Sequence, residues 1–256
     1  MKLHLQLVQG PIHSLDKAKS KIPVNQDVGG IAAGTAFAGV LAGSSSLLTS
    51  SPILLMAGKA KDGITFIGEI DKYPLVGQFT TARFEENDEL IAVISEKTID
   101  GRHQVYAIVD PKSGLLYMIY EMGRSVKMGY RAIMMQTCFF SVLSFGLFMV
   151  ILIFSFISSS DYSGESIIFF FEAVLITFFI SFSAFINYFS FRKSYENFGN
   201  LSEQIFEKLG FENPKEQDFY NDFLTDNGVQ ISVMKYRKNL KGQDPYPEDY
   251  FDKKNF

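Results

Sequence analysis

The side chains that could carry out chemistry are scattered along this sequence. The three histidines, His4, His13 and His103, stand far apart, and the one cysteine, Cys138, lies inside an uncharged apolar run. Residues 85–89, Glu-Glu-Asn-Asp-Glu, concentrate carboxylates, but such a run between two predicted strands is typical of a solvated turn. No spacing of these residues matches a metal site or a nucleophile beside its base.

The sequence also lacks the motifs of common enzymes. It contains no Gly-x-Ser-x-Gly elbow, no His-Glu-x-x-His, no phosphate-binding loop and no dinucleotide fingerprint. One cysteine excludes a disulfide framework. The net charge of −4 and the dispersed basic residues disfavour a nucleic-acid partner. We therefore expect no catalytic residue, no cofactor and no metal.

One ionisable residue, Glu172, stands within an apolar run. On a helix it would share one side with Ser183, Asn187 and Ser190. Ionisable groups inside membranes are costly and tend to have a role, so this stripe could line a pore or an oligomer interface. The alternative is that Glu172 lies close enough to the preceding loop to reach the membrane surface.

Two apolar runs must position these residues. Residues 132–158 contain no charge, and residues 167–191 contain only Glu172. A helix rises about 1.5 Å per residue, so about 20 apolar residues cross a hydrocarbon core about 30 Å thick. The connection between the runs is too short for a domain and is rich in turn formers. The sequence therefore predicts an antiparallel transmembrane hairpin at residues 130–192.

Positive charge flanks the predicted hairpin on one side only. Arg124, Lys127 and Arg131 precede it and Arg192 and Lys193 follow it, whereas the connecting loop offers only carboxylates. Cytoplasmic flanks carry an excess of lysine and arginine. We therefore predict a multi-pass membrane protein with both termini in the cytoplasm, or on the equivalent side, and the connecting loop across the membrane.

Small residues recur at i, i+4 and i+7 in each apolar run, which places them on one face of a helix. They are Thr137, Ser141 and Ser144 in the first run and Thr177, Ser181 and Ala184 in the second. Small side chains let helix backbones approach closely in lipid, where no hydrophobic drive exists. We expect these residues to form the contact between the two helices.

A further uncharged stretch, Val28 to Gly58, lies within an insert at residues 11–59. Glycines in it follow the Gly-x-x-x-Gly pattern of close helix crossings in membranes. They are Gly30, Gly34, Gly39 and Gly43. This pattern predicts a helical segment that inserts in the membrane. Glycine costs a helix about 1 kcal/mol relative to alanine, however, so a flexible or locally packed loop is the alternative.

Residues 1–10 and 60–122 have the pattern of a small β domain. Runs rich in β-branched and aromatic residues alternate with turn signals such as Asp100-Gly101. The predicted strands are residues 2–9, 64–70, 78–84, 89–96, 103–110 and 115–120, with Gly10-Pro11 ending the first. A spacing of about 10 residues is typical of a small antiparallel barrel or sandwich.

The remaining residues predict a short C-terminal αβ module at residues 194–240. Helical spacing relates Leu201, Ile205, Phe206 and Leu209. Gly210 should end that helix, and residues 229–234 read as a strand. Residues 241–256 are acidic and lack periodicity, so we expect disorder there. The predicted fold class is a membrane protein of α+β type, with a β-barrel or sandwich, a two-helix transmembrane hairpin and this module.

The order of these elements resembles the bacterial family described as type VI secretion system effectors. The motifs that carry the resemblance are the Gly/Ala insert, Val105-Tyr106-Ala107-Ile108, the Leu115 to Tyr120 strand and Leu209-Gly210-Phe211. The tail beyond Lys238 departs from the family pattern. The resemblance implies secretion into a target cell, action at its membrane, and partners among a secretion spike, an adaptor and a cognate immunity protein. It supplies no catalytic residues.

Two functions follow. The first is an effector that inserts in the lipid bilayer of the target's inner membrane, alone or with other copies of itself, and permeabilises it. The second is a resident inner-membrane protein that serves as an immunity, scaffold or sensor protein and binds a cytoplasmic partner.

The chain starts with the alternation of a strand and not with the apolar core of a signal peptide. We therefore expect any export to use another route.

Overall fold

The structure is a computed structural model. It describes residues 3–23, 60–118, 122–158, 196–220, 223–226 and 229–254, with isolated positions between 174 and 185. The chain forms two compact units. Unit 1 contains Met1–Val126 and Asn197–Phe256, and unit 2 contains Lys127–Glu196.

Unit 1 is built on one eight-stranded sheet. Its strands are β1 Leu5–Pro23, β2 Ala60–Ile70, β3 Tyr73–Phe79, β4 Glu89–Ile99, β5 Arg102–Asp110, β6 Leu115–Tyr117, β7 Phe223–Asp226 and β8 Val229–Lys235. The strand order is β3-β2-β1-β4-β5-β6-β8-β7, and β3 also pairs with β5. That additional pairing closes the first five strands into a barrel. It is parallel, whereas the other strand pairs are antiparallel.

Strand β1 is longer than the sequence pattern indicated. Its first half pairs with β4 and its second half with β2. Gly10 has a φ of 145°, and the register shifts between His13 and Asp16 around Ser14. Such a glycine and a bulge bend a strand without ending it. The predicted strand end at Gly10-Pro11 is therefore wrong, because these residues turn β1 from one partner strand to the next.

An aromatic core fills the barrel. The ring of Phe66 lies 5.1 Å from those of Phe79 and Phe84, and Phe84 lies 5.3 Å from Tyr117, measured between ring centroids. Burying each ring stabilises the fold by roughly 1.5–3 kcal/mol. Gly77 on β3 faces Phe66, and an ideal Cβ there would lie 2.2 Å from Phe66 Cζ. The barrel therefore requires a strand position without a side chain beside its central ring.

A second core covers the outside of the barrel. Helix α2, residues 196–208, contributes Leu201, Ile205 and Phe206 to it. Alternate residues of β4 point to the two cores: Ile91 and Val93 belong to this one, while their neighbours on the strand face the barrel interior. Burial on both faces explains why β4 reads as a nearly continuous apolar run.

Helix α2 ends as predicted at Gly210, which has a φ of 72°. The Gly210 N–H donates to the Glu207 carbonyl at 3.1 Å, and the Phe211 N–H donates to the Phe206 carbonyl at 3.0 Å. The Phe206 and Phe211 rings are 6.0 Å apart. These are the two hydrogen bonds and the apolar contact of a Schellman motif.

The C-terminal residues belong to unit 1 and do not form the separate module that we predicted. Strand β8 pairs with β6, with Leu115 opposite Lys235. The predicted disorder of the tail is also wrong, because Tyr246 is buried in the second core and Tyr250–Lys254 is helical. The composition of the tail did not indicate the burial of Tyr246, because the residues that bury it, such as Leu5 and Phe211, are far away in the sequence.

Side chains of unit 1 hold the tail in place. Arg237 Nε donates to Asp244 Oδ2 at 2.8 Å, and its Nη2 donates to the Tyr246 carbonyl at the same distance. Gln217 Nε2 donates to the Lys241 carbonyl at 2.8 Å. Arg237 Nη2 and Gln217 Nε2 thus pair the main-chain carbonyls of Tyr246 and Lys241. A buried carbonyl that loses water without gaining a partner costs about 1–3 kcal/mol.

Two strand assignments also differ from the sequence patterns. The third strand is Tyr73–Phe79, which includes Pro74, rather than residues 78–84. The residues that follow are irregular but bury Ala82 and Phe84. Strand β7 was not predicted, because its four residues are too few to show an alternation.

The helices of unit 2 contradict the predicted fold class. Helix α1, Val126–Ser158, is the one helix in the described part of the chain that is long and apolar enough to cross a membrane. The two-helix transmembrane hairpin is therefore wrong as a description of this fold. The described positions of the second run, from Val174 to Phe185, are helical but too few to give a second candidate span. The second membrane helix, residues 167–191, was predicted from its length and apolar composition alone.

We predict that Gly77→Ala destabilises the protein by about 1–3 kcal/mol, because the added methyl group overpacks the barrel core against Phe66. Thermal unfolding of the full chain in mild detergent measures the effect. Adding Phe66→Leu to Gly77→Ala should recover part of the loss, since the shorter side chain makes room. A Gly77→Ala variant as stable as the parent would contradict this packing.

Candidate functional site

The candidate functional site is the apolar surface of α1. No charged residue occurs between Arg131 and Asp161. Large side chains along the helix are exposed, with Phe139 at 65%, Val150 at 62% and Phe154 at 74% of their accessible surface. Among its described residues beyond Arg131, α1 buries only Ile133 and Ser144, whereas a core helix buries a whole face. The candidate span Val126–Ile151 has 26 residues and is about 39 Å long, enough to cross a hydrocarbon core of about 30 Å.

The hydroxyl groups on α1 are hydrogen-bonded within the helix. Ser141 Oγ donates to the Thr137 carbonyl at 2.9 Å, and Ser144 Oγ donates to the Phe140 carbonyl at 2.7 Å. Polar groups in hydrocarbon must find partners internally, because no water is available. These two serines therefore suit a lipid environment.

The predicted helix-packing residues differ in exposure. Ser144 is buried and Thr137 is half-buried, whereas Ser141 is exposed. In the second run Thr177 is half-buried and Ser181 is exposed. The contact between the two sets stays a prediction. The other predicted site residues lie outside the described part of the chain: Ala184, Gly30, Gly34, Gly39, Gly43, Glu172, Ser183, Asn187, Ser190, Arg192 and Lys193.

The chain enters α1 through residues 122–126, which we call the root. Three of its main-chain N–H groups have partners elsewhere in unit 1: Gly123 donates to Ser202 Oγ (3.2 Å), Ser125 to the Gln217 carbonyl (3.1 Å) and Val126 to Glu203 Oε1 (2.9 Å). The last contact gives the first amide of α1 a carboxylate partner, which also stabilises the positive end of the helix dipole.

Helix α2 passes close to the root. An ideal Cβ on Gly199 would lie 2.7 Å from the Val126 nitrogen, so only glycine permits this approach. Sequence reasoning singled out none of the residues that hold the root. The available signal was the pair Ser202 and Glu203, polar residues beside the apolar positions of α2.

Arg124, which we expected to mark membrane topology, is used inside unit 1. Its Nε donates to Asp218 Oδ1 at 3.0 Å, and the two side chains are only 14% and 10% exposed. Its guanidinium group also lies 4.9 Å from the centroid of the Tyr220 ring. Breaking such a buried pair costs about 3–5 kcal/mol, because the remaining charge is left uncompensated. The exposed cations at the start of α1 are Lys127 and Arg131.

Unit 1 contains the residues on both sides of unit 2 in the sequence. Strand β6 precedes unit 2 and β8 follows it, yet the two strands pair, and the root is bonded to α2. A folded β unit with its polar main chain lies in water on one side of a bilayer. The described residues of unit 1 before Val126 and after Asn197 are therefore on the same side of any membrane that α1 enters.

The polar residues of unit 1 show no catalytic arrangement in the part of the chain that the structure describes. No group of three histidine, cysteine or carboxylate residues there could hold a metal ion. His4 Nδ1 lies 3.6 Å from Glu96 Oε2 at the surface, and His103 Nδ1 lies 2.7 Å from the Ser95 carbonyl oxygen. Both contacts are typical of histidines that stabilise strands.

A shallow depression of about 420 Å³ lies beside the C-terminal segment. It is lined by Gly210, Glu212, Gln243, Asp244, Pro245, Pro247 and Tyr250. Asp244 is already paired with Arg237. Burial and the Asp244 carboxylate raise the pKa of Tyr236, so its phenol stays neutral and donates to the Tyr246 carbonyl at 3.0 Å. These groups hold the tail in place.

Comparisons of this chain with protein-family models, with curated proteins and with solved structures gave no match. The resemblance to secretion effectors therefore stays a prediction. The functional argument rests on α1, on its root and on the composition of unit 1.

We predict that Ser113 and Lys208, which lie in unit 1 before and after unit 2, have the same accessibility across a membrane. Each is replaced by cysteine in a Cys138→Ser background, and spheroplasts and inverted vesicles are treated with an impermeant maleimide. Both cysteines should label in the same preparation. Labelling of one from each side would contradict the shared fold of the two flanks.

Proposed function

We propose that this chain is a membrane-anchored, non-catalytic protein that holds unit 1 at the cytoplasmic face of the bacterial inner membrane, where unit 1 binds a protein partner. It would serve as an immunity, scaffold or sensor protein. The observation that carries this proposal is the exposed, uncharged surface of α1, which is joined through a fixed root to a folded β unit.

The energetics of α1 support an anchor. Leucine, isoleucine, phenylalanine and valine each favour insertion by about 0.3–0.6 kcal/mol at the centre of a membrane helix. The exposed side chains of α1 include Phe139, Phe140, Val142, Leu143, Phe145, Leu147, Val150, Ile153 and Phe154. Left in water, this surface would be an aggregation site. In lipid it is the source of binding energy.

The charges of α1 support the orientation. Lys127 and Arg131 stand near its start, and its last turn has no basic residue. The end of a membrane helix that carries lysine and arginine favours the cytoplasm. Because both flanks of unit 2 are in unit 1, this orientation applies to the N-terminal and the C-terminal residues together.

The interior of unit 1 supports binding rather than catalysis. Its two cores are apolar, and Arg124, Arg237 and Gln217 are engaged in holding the root and the tail. The depression beside the C-terminal segment is shallow, and its carboxylate Asp244 is paired with Arg237. A rigid surface beside a membrane is what partner recruitment requires.

The permeabilising effector has less support. It was inferred from the hairpin, which the structure corrects, and from the glycine-rich insert, which lies outside the described residues. The anchored protein requires α1 in the bilayer and both flanks of unit 2 on one side of it. The two functions differ in what they do to a sealed vesicle, because an anchor leaves the bilayer intact.

The test places charge on the exposed surface of α1. Leu143→Arg and Val150→Arg, seven residues apart on one face, should each disfavour insertion by roughly 2.5–3.5 kcal/mol. We expect the parent chain to stay in the membrane pellet after carbonate washing and the double variant to leave it. The control is Ile99→Arg, which replaces one exposed apolar residue of unit 1 by arginine and should leave the chain in the pellet. A parent chain released by carbonate would overturn the proposal.

The same preparations distinguish the anchor from the effector. The purified full chain is reconstituted into vesicles that contain a self-quenched dye. An anchor should insert without dye release. Release that depends on protein concentration and disappears in the Leu143→Arg, Val150→Arg variant would favour the effector.

A further inference from the structure

We propose that Arg131, together with Lys127, binds the phosphate groups of anionic phospholipids, so that α1 selects an anionic lipid at its cytoplasmic end. This inference rests on the proposed function, because it requires α1 to be in a bilayer. It adds the class of lipid that the anchor recognises and the residues that recognise it.

The position of the two cations fits a lipid headgroup. Lys127 and Arg131 are four residues apart on α1, so they share one face, and both are exposed. They are the last charged residues before the uncharged stretch begins at Ala132. A headgroup lies at this boundary, where the hydrocarbon of a bilayer ends.

Three carboxylates near the root have partners of their own, and Lys127 also has an interaction within the chain, so Arg131 is the principal binding group. Glu203 accepts the Val126 N–H, Asp218 accepts the Arg124 guanidinium, and Glu196 accepts the Tyr130 hydroxyl. The first turn of α1 contains no acidic residue. Within the described residues Arg131 makes no hydrogen bond or ion pair. Its side chain is exposed, so an anion at the membrane surface can reach its donors.

The surroundings of Arg131 indicate which anion binds. Met134 and Met135 follow it and are 62% and 65% exposed. A ligand that contacts all three residues has a negative group next to a long apolar chain. An anionic phospholipid has this structure, whereas free phosphate has no apolar part. The guanidinium group binds phosphate through two parallel N–H···O bonds, which makes arginine suited to this role.

The absence of tryptophan from the sequence provides a direct test. Met135→Trp introduces a single fluorophore on the face of α1 that carries Arg131. The full chain is reconstituted in vesicles that contain brominated phosphatidylglycerol or brominated phosphatidylcholine, and the quenching of the tryptophan gives the relative affinity of the two lipids. Each cation near an anionic surface should contribute about a 5-fold preference for phosphatidylglycerol over phosphatidylcholine.

The variant Lys127→Gln, Arg131→Gln should lose the preference for phosphatidylglycerol. A matched control, Lys112→Gln with Lys208→Gln, makes the same change in charge at exposed positions of unit 1 and should keep it. Arg131→Lys should retain part of it, because a point charge replaces the paired donors.

Equal quenching by the two lipids in the parent would overturn the inference, and so would an unchanged preference in the Lys127→Gln, Arg131→Gln variant. A tryptophan that neither lipid quenches would mean instead that α1 is outside the bilayer. That result would refute the proposed function itself, so the two failures are distinguishable.

Discussion

The pairing of β6 with β8 is the constraint on which the rest of this structure depends. The two strands come from opposite sides of the apolar segment in the sequence, and their hydrogen bonds place α2 and the tail on the barrel. The apolar helix is therefore an insertion within a β unit. Its entry point is fixed by main-chain contacts with Ser202, Glu203 and Gln217.

Two cores that share the same strands make that β unit rigid. Strand β4 contributes alternate residues to the barrel interior and to the core under α2, so neither core can loosen alone. The buried pair of Arg124 and Asp218 lies beside the root, where it couples the start of α1 to the segment that follows α2. The proposed role, a surface that binds a partner beside a membrane, requires this rigidity more than it requires a pocket.

The sequence predicted the features that depend on local patterns. Strands β2, β4 and β5, the stop at Gly210 and the uncharged run of α1 could each be recognised from spacing and composition. Features that depend on distant partners were missed. The parallel pairing of β3 with β5, the bend of β1 at Gly10 and the burial of Tyr246 follow from tertiary contacts. The pairing of Arg124 with Asp218 was missed for the same reason, because the two residues are far apart in the sequence.

The native cysteine permits the most direct measurement of the central claim, which is that lipid covers α1. Cys138 is exposed on α1 and is the one cysteine in the sequence. A nitroxide attached there, with the full chain in vesicles, reports collisions with oxygen, which concentrates in lipid, and with a water-soluble nickel chelate. Our account predicts frequent collisions with oxygen and few with the chelate. Frequent collisions with the chelate would contradict it.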